Sequence, residues 1–432
     1  MEKQRRLIVI SQDAMVYEDV ATLKELPAFG RICKKAAFID RVKSIYPTVT
    51  YPCHTTMQTG VYPDRHGIIN NEQLIMGEKS SKWIHFRRDI QTETIFDWAK
   101  RAGLSTAAVF WPVTGGDASI DYLVDEYWPQ NGESTVQCFR DSGSSEEVIE
   151  KVIKPNQHYV ENKHRQHPYA DQFVIQCACS IIREFQPHLL MIHPANIDAY
   201  RHQTGVFSNK VTHALHEIDM WMSDILKACE DAGVLEETDF VITSDHGQMN
   251  ITRSVSPNAV LAEHGLIKVN GQGEIVSTRA FCKSTALSAH VFLPDPSAYD
   301  ETYALLCAMR DEGIYGISRV YTKEEVQAEE RLSGDFAFVL ESDGFSSFTN
   351  DWNRPLVRAL DTSDYRFGHA THGHLPHKGP QPTMIAFGPH IKAGAHVSDA
   401  RLVDDAPTFA RILGIDAPEG LDGHAVEAII RE

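Results

Sequence analysis

The chain has 432 residues, 42% of them apolar and 23% charged, which is ordinary for a soluble globular protein and long enough for one large α/β domain with an insertion, or for two domains. Its formal charge of -18, from 59 acidic and 41 basic side chains, argues against an extended nucleic-acid surface, because a phosphate backbone needs clustered Lys and Arg. A small anionic substrate stays possible, since bound dications reverse the field locally.

In chain order, Met1-Glu2-Lys3-Gln4-Arg5-Arg6 runs straight into a short strand over 7–11, and neither a signal peptide nor a membrane span is expected. A helix is predicted over 21–36. A second helix spans 93–102 and ends at Gly103, and Thr106 to Phe110 form the next strand. Residues 170–185 read as helix, 187–193 as strand, and 209–232 as a long amphipathic helix closed near Gly233. Asp239 to Ser244 and Thr383 to Phe387 are two more buried strands, and Asp404 to Leu413 form a late helix stopped by Gly414. Strands alternating with helices imply a mostly parallel sheet covered on both faces. Residues 260–355 break that rhythm, with short strands at Ala289 to Leu293 and Phe336 to Leu340 around a helix over 299–312. The expected division is a core domain of 1–259 and 356–432 with a small α+β cap of 260–355. Cys33, Cys53, Cys138, Cys177, Cys179, Cys229, Cys282 and Cys307 show no zinc-ribbon spacing, so reduced thiols and a cytoplasmic location are expected.

Side chains able to hold a divalent metal recur just past the strands. Asp13 follows Leu7-Ile8-Val9-Ile10, Asp198 and His202 follow Leu189-Leu190-Met191-Ile192, and Asp245-His246 follow Phe240-Val241-Ile242-Thr243, with Thr50 and His372 completing the set. In an open α/β sheet the loops leaving that edge converge on the ligand site. Carboxylates with imidazoles, and no paired cysteines, suit a catalytic zinc or manganese centre better than a structural one. Each residue also has a plainer reading: Thr50 as the cap of a helix over 53–60, and Asp198 with His202 as a solvated helix pair.

The segment Tyr46-Pro47-Thr48-Val49-Thr50-Tyr51-Pro52-Cys53-His54, followed by Thr59-Gly60-Val61-Tyr62-Pro63-Asp64-Arg65-His66-Gly67-Ile68 and Asn71, is the most specific in the chain. It resembles the nucleophile region of the nucleotide pyrophosphatase/phosphodiesterase family, within the alkaline phosphatase superfamily. Thr50 matches the family's nucleophile and Asn71 its asparagine; Cys53 departs from the usual asparagine and reads as a packing variant. Asp13, Asp198 through His202, Ser244-Asp245-His246-Gly247, Ala370-Thr371-His372-Gly373 and Phe110-Trp111-Pro112 match further family motifs, over residues 7–390.

The resemblance implies an alkaline phosphatase-like α/β sandwich with two divalent ions, zinc fitting best and manganese or iron tolerated. One ion would be held by Asp198, His202 and His372, the other by Asp13, Asp245 and His246 with Thr50. It implies in-line attack by Thr50 on a phosphodiester or pyrophosphate, a phosphothreonine intermediate, and Asn71 hydrogen-bonding the phosphoryl oxygen. Tyr51 and Tyr127 are expected to wall a slot for the substrate's organic group, whose plainer reading is two half-buried core tyrosines. His54, His66, His369, His374 and His377 lie off the matched positions and are taken as supporting groups, with His374 the substitute for His372. The expected partner is a small phosphate-ester or phosphonate substrate. Phosphonate hydrolysis would want extra Lys or Arg beside the metals, and Lys79, Lys82, Arg87 and Arg88 form no obvious pair there. A phosphosugar mutase, usually serine-based, and a non-catalytic binding module are the remaining alternatives.

Overall fold

Unbroken apolar runs form the middle of an eight-stranded sheet in the computed structural model, which describes residues 5–79, 82–362 and 368–431. Its strands are β1 (Arg6–Ser11), β2 (Ala37–Lys43), β3 (Thr106–Val109), β4 (Tyr122–Val124), β5 (Leu189–Ile192), β6 (Thr238–Thr243), β7 (Met384–Phe387) and β8 (His396–Arg401). The order across the sheet is β8-β2-β7-β6-β1-β5-β3-β4. β7 runs antiparallel to both neighbours, and every other pair is parallel.

Successive side chains of a strand point to opposite faces, and here both faces are dry. Ile8, Ile10, Leu190, Ile192, Phe240 and Ile242 enter one core beneath the helices Tyr169–Phe185 and Asn209–Asp231. Leu7, Val9, Leu189, Met191 and Val241 enter the other, beneath Ile95–Arg101 and Asp405–Leu413. Burial on both faces is why these strands read as continuous hydrophobic runs. Register does the positioning: Ile10 of β1 lies opposite both Ile192 of β5 and Ile242 of β6. The three strands therefore end level, and the residues just past them emerge at one edge.

One predicted helix is interrupted. The stretch 21–36 divides into Asp19–Leu23 and Pro27–Ile32, because Pro27 disfavours helical backbone at Leu26, which is extended at φ -85 and ψ 155. Within 260–355, Phe281–Ser284, Ser288–Phe292, Phe338–Ser342 and Ile317–Thr322 make a four-stranded antiparallel sheet in that spatial order. With the helix Tyr299–Glu312 they share a hydrophobic cluster separate from the two cores of the large sheet.

Candidate active site

The loops leaving β1, β5 and β6 are laced together by backbone bonds. Gln12 N–H donates to the Thr243 carbonyl (2.9 Å) and Asp13 N–H to the Pro194 carbonyl (3.1 Å). Ala14, in the left-handed region at φ 58, turns its N–H onto Asp245 Oδ1 at 3.1 Å. Asp198 and His202 lie four apart on the helix Asn196–Thr204 and so share a face. Fully buried Arg201 binds the Ala14 carbonyl through Nε (3.1 Å) and pairs with Asp19, tying that helix to the β1 loop. His372 arrives on a loop zipped to the Thr48 segment, where Gly373 N–H donates to the Thr48 carbonyl at 2.8 Å. That turn requires glycine: φ is 93, and a Cβ would fall 1.8 Å from the Thr285 carbonyl oxygen.

Thr50 is the first residue of the helix Thr50–Thr59, whose cap is Val49, so the reading of Thr50 as a cap is corrected. Its Oγ1 turns instead to His246 Nε2 at 3.2 Å. His54, one turn on, places Nδ1 2.9 Å from the Thr50 carbonyl oxygen and Nε2 2.9 Å from Ser11 Oγ, fixing the backbone beneath the hydroxyl. Asn71 Oδ1 accepts the Tyr51 N–H at 2.8 Å. The carbonyl end of that amide is thereby occupied, and its NH2 end is left for the cavity that Asn71 lines. Cys53 is buried with Sγ 3.3 Å from Ser44 Oγ, and burial pushes its thiol well above the usual range, as suits a packing residue.

The seven side chains proposed from sequence come together. Ligand atoms of Asp198, His202 and His372 lie within 4.8 Å of one another, as do those of Asp13, Asp198 and His246, so Asp198 faces both groups. Asp245 stands beside the second, with Oδ2 3.2 Å from His246 Nε2. Whether these residues suit metal is decided by their outer contacts. His202 Nδ1 faces the Ala370 carbonyl at 2.6 Å and His372 Nδ1 the Thr48 carbonyl at 3.0 Å. Both carbonyls can only accept, which leaves each Nε2 unprotonated toward Asp198, the usual support of a metal-binding imidazole. Asp13 Oδ1 and Asp245 Oδ2 are buried without any hydrogen-bond partner. Buried carboxylate oxygens are costly unless a cation or donor meets them, and these residues fit divalent metal.

The electrostatics agree. Burial, then Asp245 and Asp198, push the Asp13 carboxyl well above its usual range. Burial, joined by Asp198, raises Asp245 to about 7 against the Ala14 N–H that lowers it. Burial would raise Asp198 too, but His202, His372 and His246 outweigh it and hold that carboxyl far down. Burial and His372 depress His246 strongly, and burial brings His372 to about 4. Without a cation the cluster resists carrying several negative charges at once.

The expectation for Tyr51 and Tyr127 is corrected. Consecutive helix residues point about 100° apart, so with Thr50 facing the site Tyr51 turns away. It is buried against Ile68, Ile90 and Val113, with its ring 5.2 Å from Trp83. Tyr127 packs on His85 at 4.8 Å, and neither tyrosine lines the cavity. Trp83, Trp128 and Phe110 do, the two indoles edge-to-face at 5.3 Å with the Arg165 guanidinium 4.6 Å from the Trp128 ring centre. Trp128 was legible as the neighbour of Tyr127, but which of the two faces inward is a matter of tertiary packing. His193, missed in the sequence, also lines the cavity. It follows β5 as Asp13 and Asp245 follow their own strands, and the same positional rule would have found it. His374 joins neither ligand group and faces the Leu375 carbonyl at 2.9 Å.

The type I phosphodiesterase / nucleotide pyrophosphatase family model matches residues 7–374. The chain is 23% identical to human ectonucleotide pyrophosphatase/phosphodiesterase family member 1 over 251 residues, covering 56% of this chain and 24% of that protein. It thus spans about a quarter of the length of that relative. With human bis(5'-adenosyl)-triphosphatase ENPP4 it shares 22% over 435 residues, covering 95% of this chain and 78% of the relative. Among solved structures, murine ectonucleotide pyrophosphatase/phosphodiesterase 5 superposes with a TM-score of 0.69 at 18% identity, covering 99% of this chain and 100% of that one. An inactive form of the murine protein in complex with AMP gives 0.68 at the same identity, covering 99% and 100%.

Proposed function

This chain belongs to the type I phosphodiesterase/nucleotide pyrophosphatase family, and we propose that it hydrolyses a phosphodiester or pyrophosphate bond of a small nucleotide-type substrate with Thr50 as nucleophile. The observation that carries this reading is Thr50 Oγ1 at a helix N-terminus, 3.2 Å from His246 Nε2, among six convergent carboxylate and imidazole side chains. Asp198, His202 and His372 would hold one divalent cation, and Asp13, Asp245 and His246 the other. Zinc is our choice for three histidines with three carboxylates, with manganese or iron the nearest substitutes. Bound there, two cations lower the pKa of an attacking hydroxyl and neutralise the charge on the leaving oxygen.

Thr50 Oγ1 attacks phosphorus opposite the leaving oxygen; the new P–O bond forms as the old one breaks, giving phosphothreonine and one product. Water then takes the phosphoryl group from Thr50 and returns the hydroxyl. The Asn71 NH2 donates to a non-bridging oxygen as charge builds on it, and the N-terminus of the Thr50–Thr59 helix favours the same anion. Trp83, Trp128 and Phe110 offer flat apolar surface to a base. The AMP complex of the structural neighbour and the dinucleotide activity named for ENPP4 support that choice. Family membership does not favour the phosphonate hydrolase or phosphosugar mutase readings.

We also take residues 260–355 as a cap on the core of 1–259 and 356–432, supported by Ser284, Thr285, Ala286 and Asn350 lining the same cavity as Thr50. A cytoplasmic location is supported by eight unpaired cysteines. No helix among the described residues is long and apolar enough to cross a membrane. The deciding experiment compares bis(p-nitrophenyl) phosphate, p-nitrophenyl phosphate, a dinucleoside polyphosphate and phosphonoacetate with added zinc, and looks for phosphate on Thr50 by mass spectrometry after acid quench. Preference for the diesters with a labelled Thr50 is expected; preference for phosphonoacetate or the monoester would overturn the reading.

A further inference from the structure

His193 stands one residue past β5, is buried, and belongs to neither ligand group. Its ring lies among oxygens: Nδ1 is 3.2 Å from the Phe110 carbonyl oxygen and 3.9 Å from Glu126 Oε2, and Nε2 is 3.1 Å from Asp13 Oδ2. Phe110 sits in the left-handed region at φ 57, a conformation unfavourable for a side-chain-bearing residue, and its N–H is tied to the Val124 carbonyl at 2.7 Å. The His54 ring, itself pinned at both nitrogens, packs 4.2 Å from His193 between centroids. The other Asp13 oxygen, Oδ1, has no hydrogen-bond partner and faces His246 Nε2 at 3.7 Å.

We infer that His193 is a positioning residue of the metal centre: its Nε2–H holds Asp13 Oδ2, so that Oδ1 is aimed at the point shared with His246. His202 and His372 present Nε2 to a group of ligands, whereas His193 presents it to one oxygen of a single ligand whose other oxygen is left facing His246. With Asp13 ionised as a metal ligand, the ring's proton belongs on Nε2, because that carboxylate at 3.1 Å is a stronger acceptor than the Phe110 carbonyl and the Glu126 carboxylate, 3.9 Å from Nδ1, lies beyond hydrogen-bond reach. Held at Oδ2, the Asp13 carboxylate cannot swing about its Cβ–Cγ bond, and losing such an orienting partner costs on the order of 10- to 100-fold in metal affinity. The inference rests on the metal reading given above.

The test measures zinc affinity, not turnover. Metal-stripped parent, His193→Ala, His193→Gln, His193→Asn, Asp13→Asn and the Asp13→Asn/His193→Ala double variant are titrated against a chromophoric chelator, with circular dichroism confirming the fold of each. Glutamine carries an N–H to nearly the position of Nε2, while asparagine falls short of Asp13. The expected result is a 10- to 100-fold weakening of one ion in the alanine and asparagine variants, near-parental affinity in the glutamine variant, and no further loss from His193→Ala once Asp13 is asparagine. Parental affinity in His193→Ala, glutamine no tighter than asparagine, or additive losses in the double variant would each overturn the inference. Should His193→Ala fail to fold, the glutamine and asparagine pair decides it. A parent that binds no zinc would overturn the metal centre itself, a separate outcome.

Discussion

Replacing Asn71 by alanine and by aspartate separates the two ends of its amide. Oδ1 accepts the Tyr51 N–H at 2.8 Å, so only the NH2 end remains for the phosphoryl oxygen. Alanine removes both ends: removing one transition-state donor costs about 2.7–4 kcal/mol, or roughly 100- to 1000-fold in kcat, while the Tyr51 bond contributes about 0.5–1.5 kcal/mol to stability. Aspartate keeps an oxygen for Tyr51 and replaces the donor with an anion facing the substrate. Its melting temperature should therefore stay at the parental value while its rate falls at least as far as that of the alanine variant. Release of p-nitrophenol from bis(p-nitrophenyl) phosphate, beside thermal melts and zinc counts of both variants, checks this. An aspartate variant faster than the alanine variant would refute the assigned orientation, and a parental rate in both would make Asn71 a purely structural residue.

Thr50→Ala should retain fold and zinc while hydrolysis drops by several orders of magnitude, and Thr50→Ser should keep substantial activity because it supplies the same hydroxyl; near-parental turnover by the alanine variant would exclude the phosphothreonine. Trp128→Ala should raise KM for a nucleotide roughly 5- to 150-fold, from about 1–3 kcal/mol of stacking per base, with a smaller effect on the simple aryl diester; equal effects on both would remove the stacking role. Arg201→Met should destabilise the fold by about 3–5 kcal/mol, since it leaves Asp19 buried without its partner, as read from denaturant unfolding. In metal-stripped protein Asp245 titrates near 7 against an ordinary value of 3.8, and a carboxyl raised on folding stabilises below its unfolded pKa and loses that stabilisation as pH rises through the folded one. The depressed imidazoles of His246 and His372 have the opposite slope, so the Asp245 share is read as the melting difference between stripped parent and stripped Asp245→Asn, which should shift against the parent between about pH 4 and pH 7; a difference that does not change with pH would sink the linkage.

Some of the architecture could be read directly from residue order. Leu7 to Ile10, Leu189 to Ile192 and Phe240 to Ile242 are apolar at every position, and only burial on both faces of a parallel sheet accommodates that. The edge strand β8 and its neighbour β2 escaped notice because Asp40, Arg41 and Lys43 in β2 and the polar residues of β8 break the apolar run, and the edge strand β4 because it is only three residues long. Pro27 could have divided the 21–36 helix in advance, since its effect on the preceding residue is local chemistry.

The residue types, read with the family resemblance, pointed to carboxylates and imidazoles gathered around a threonine, because only a few side chains bind divalent metal and they recur past strand ends in motif order. Which atoms meet was decided by the tertiary structure. Register brings the ends of β1, β5 and β6 level, placing Asp13, His193 and Asp245 at one edge although 180 and 52 residues separate them in turn. Helical rotation turns Tyr51 into the core while Thr50 faces His246, and packing rather than composition chooses Trp128 over Tyr127 for the cavity wall. Side-chain direction depends on which neighbours fill the remaining space, and most of those neighbours are far away in the chain.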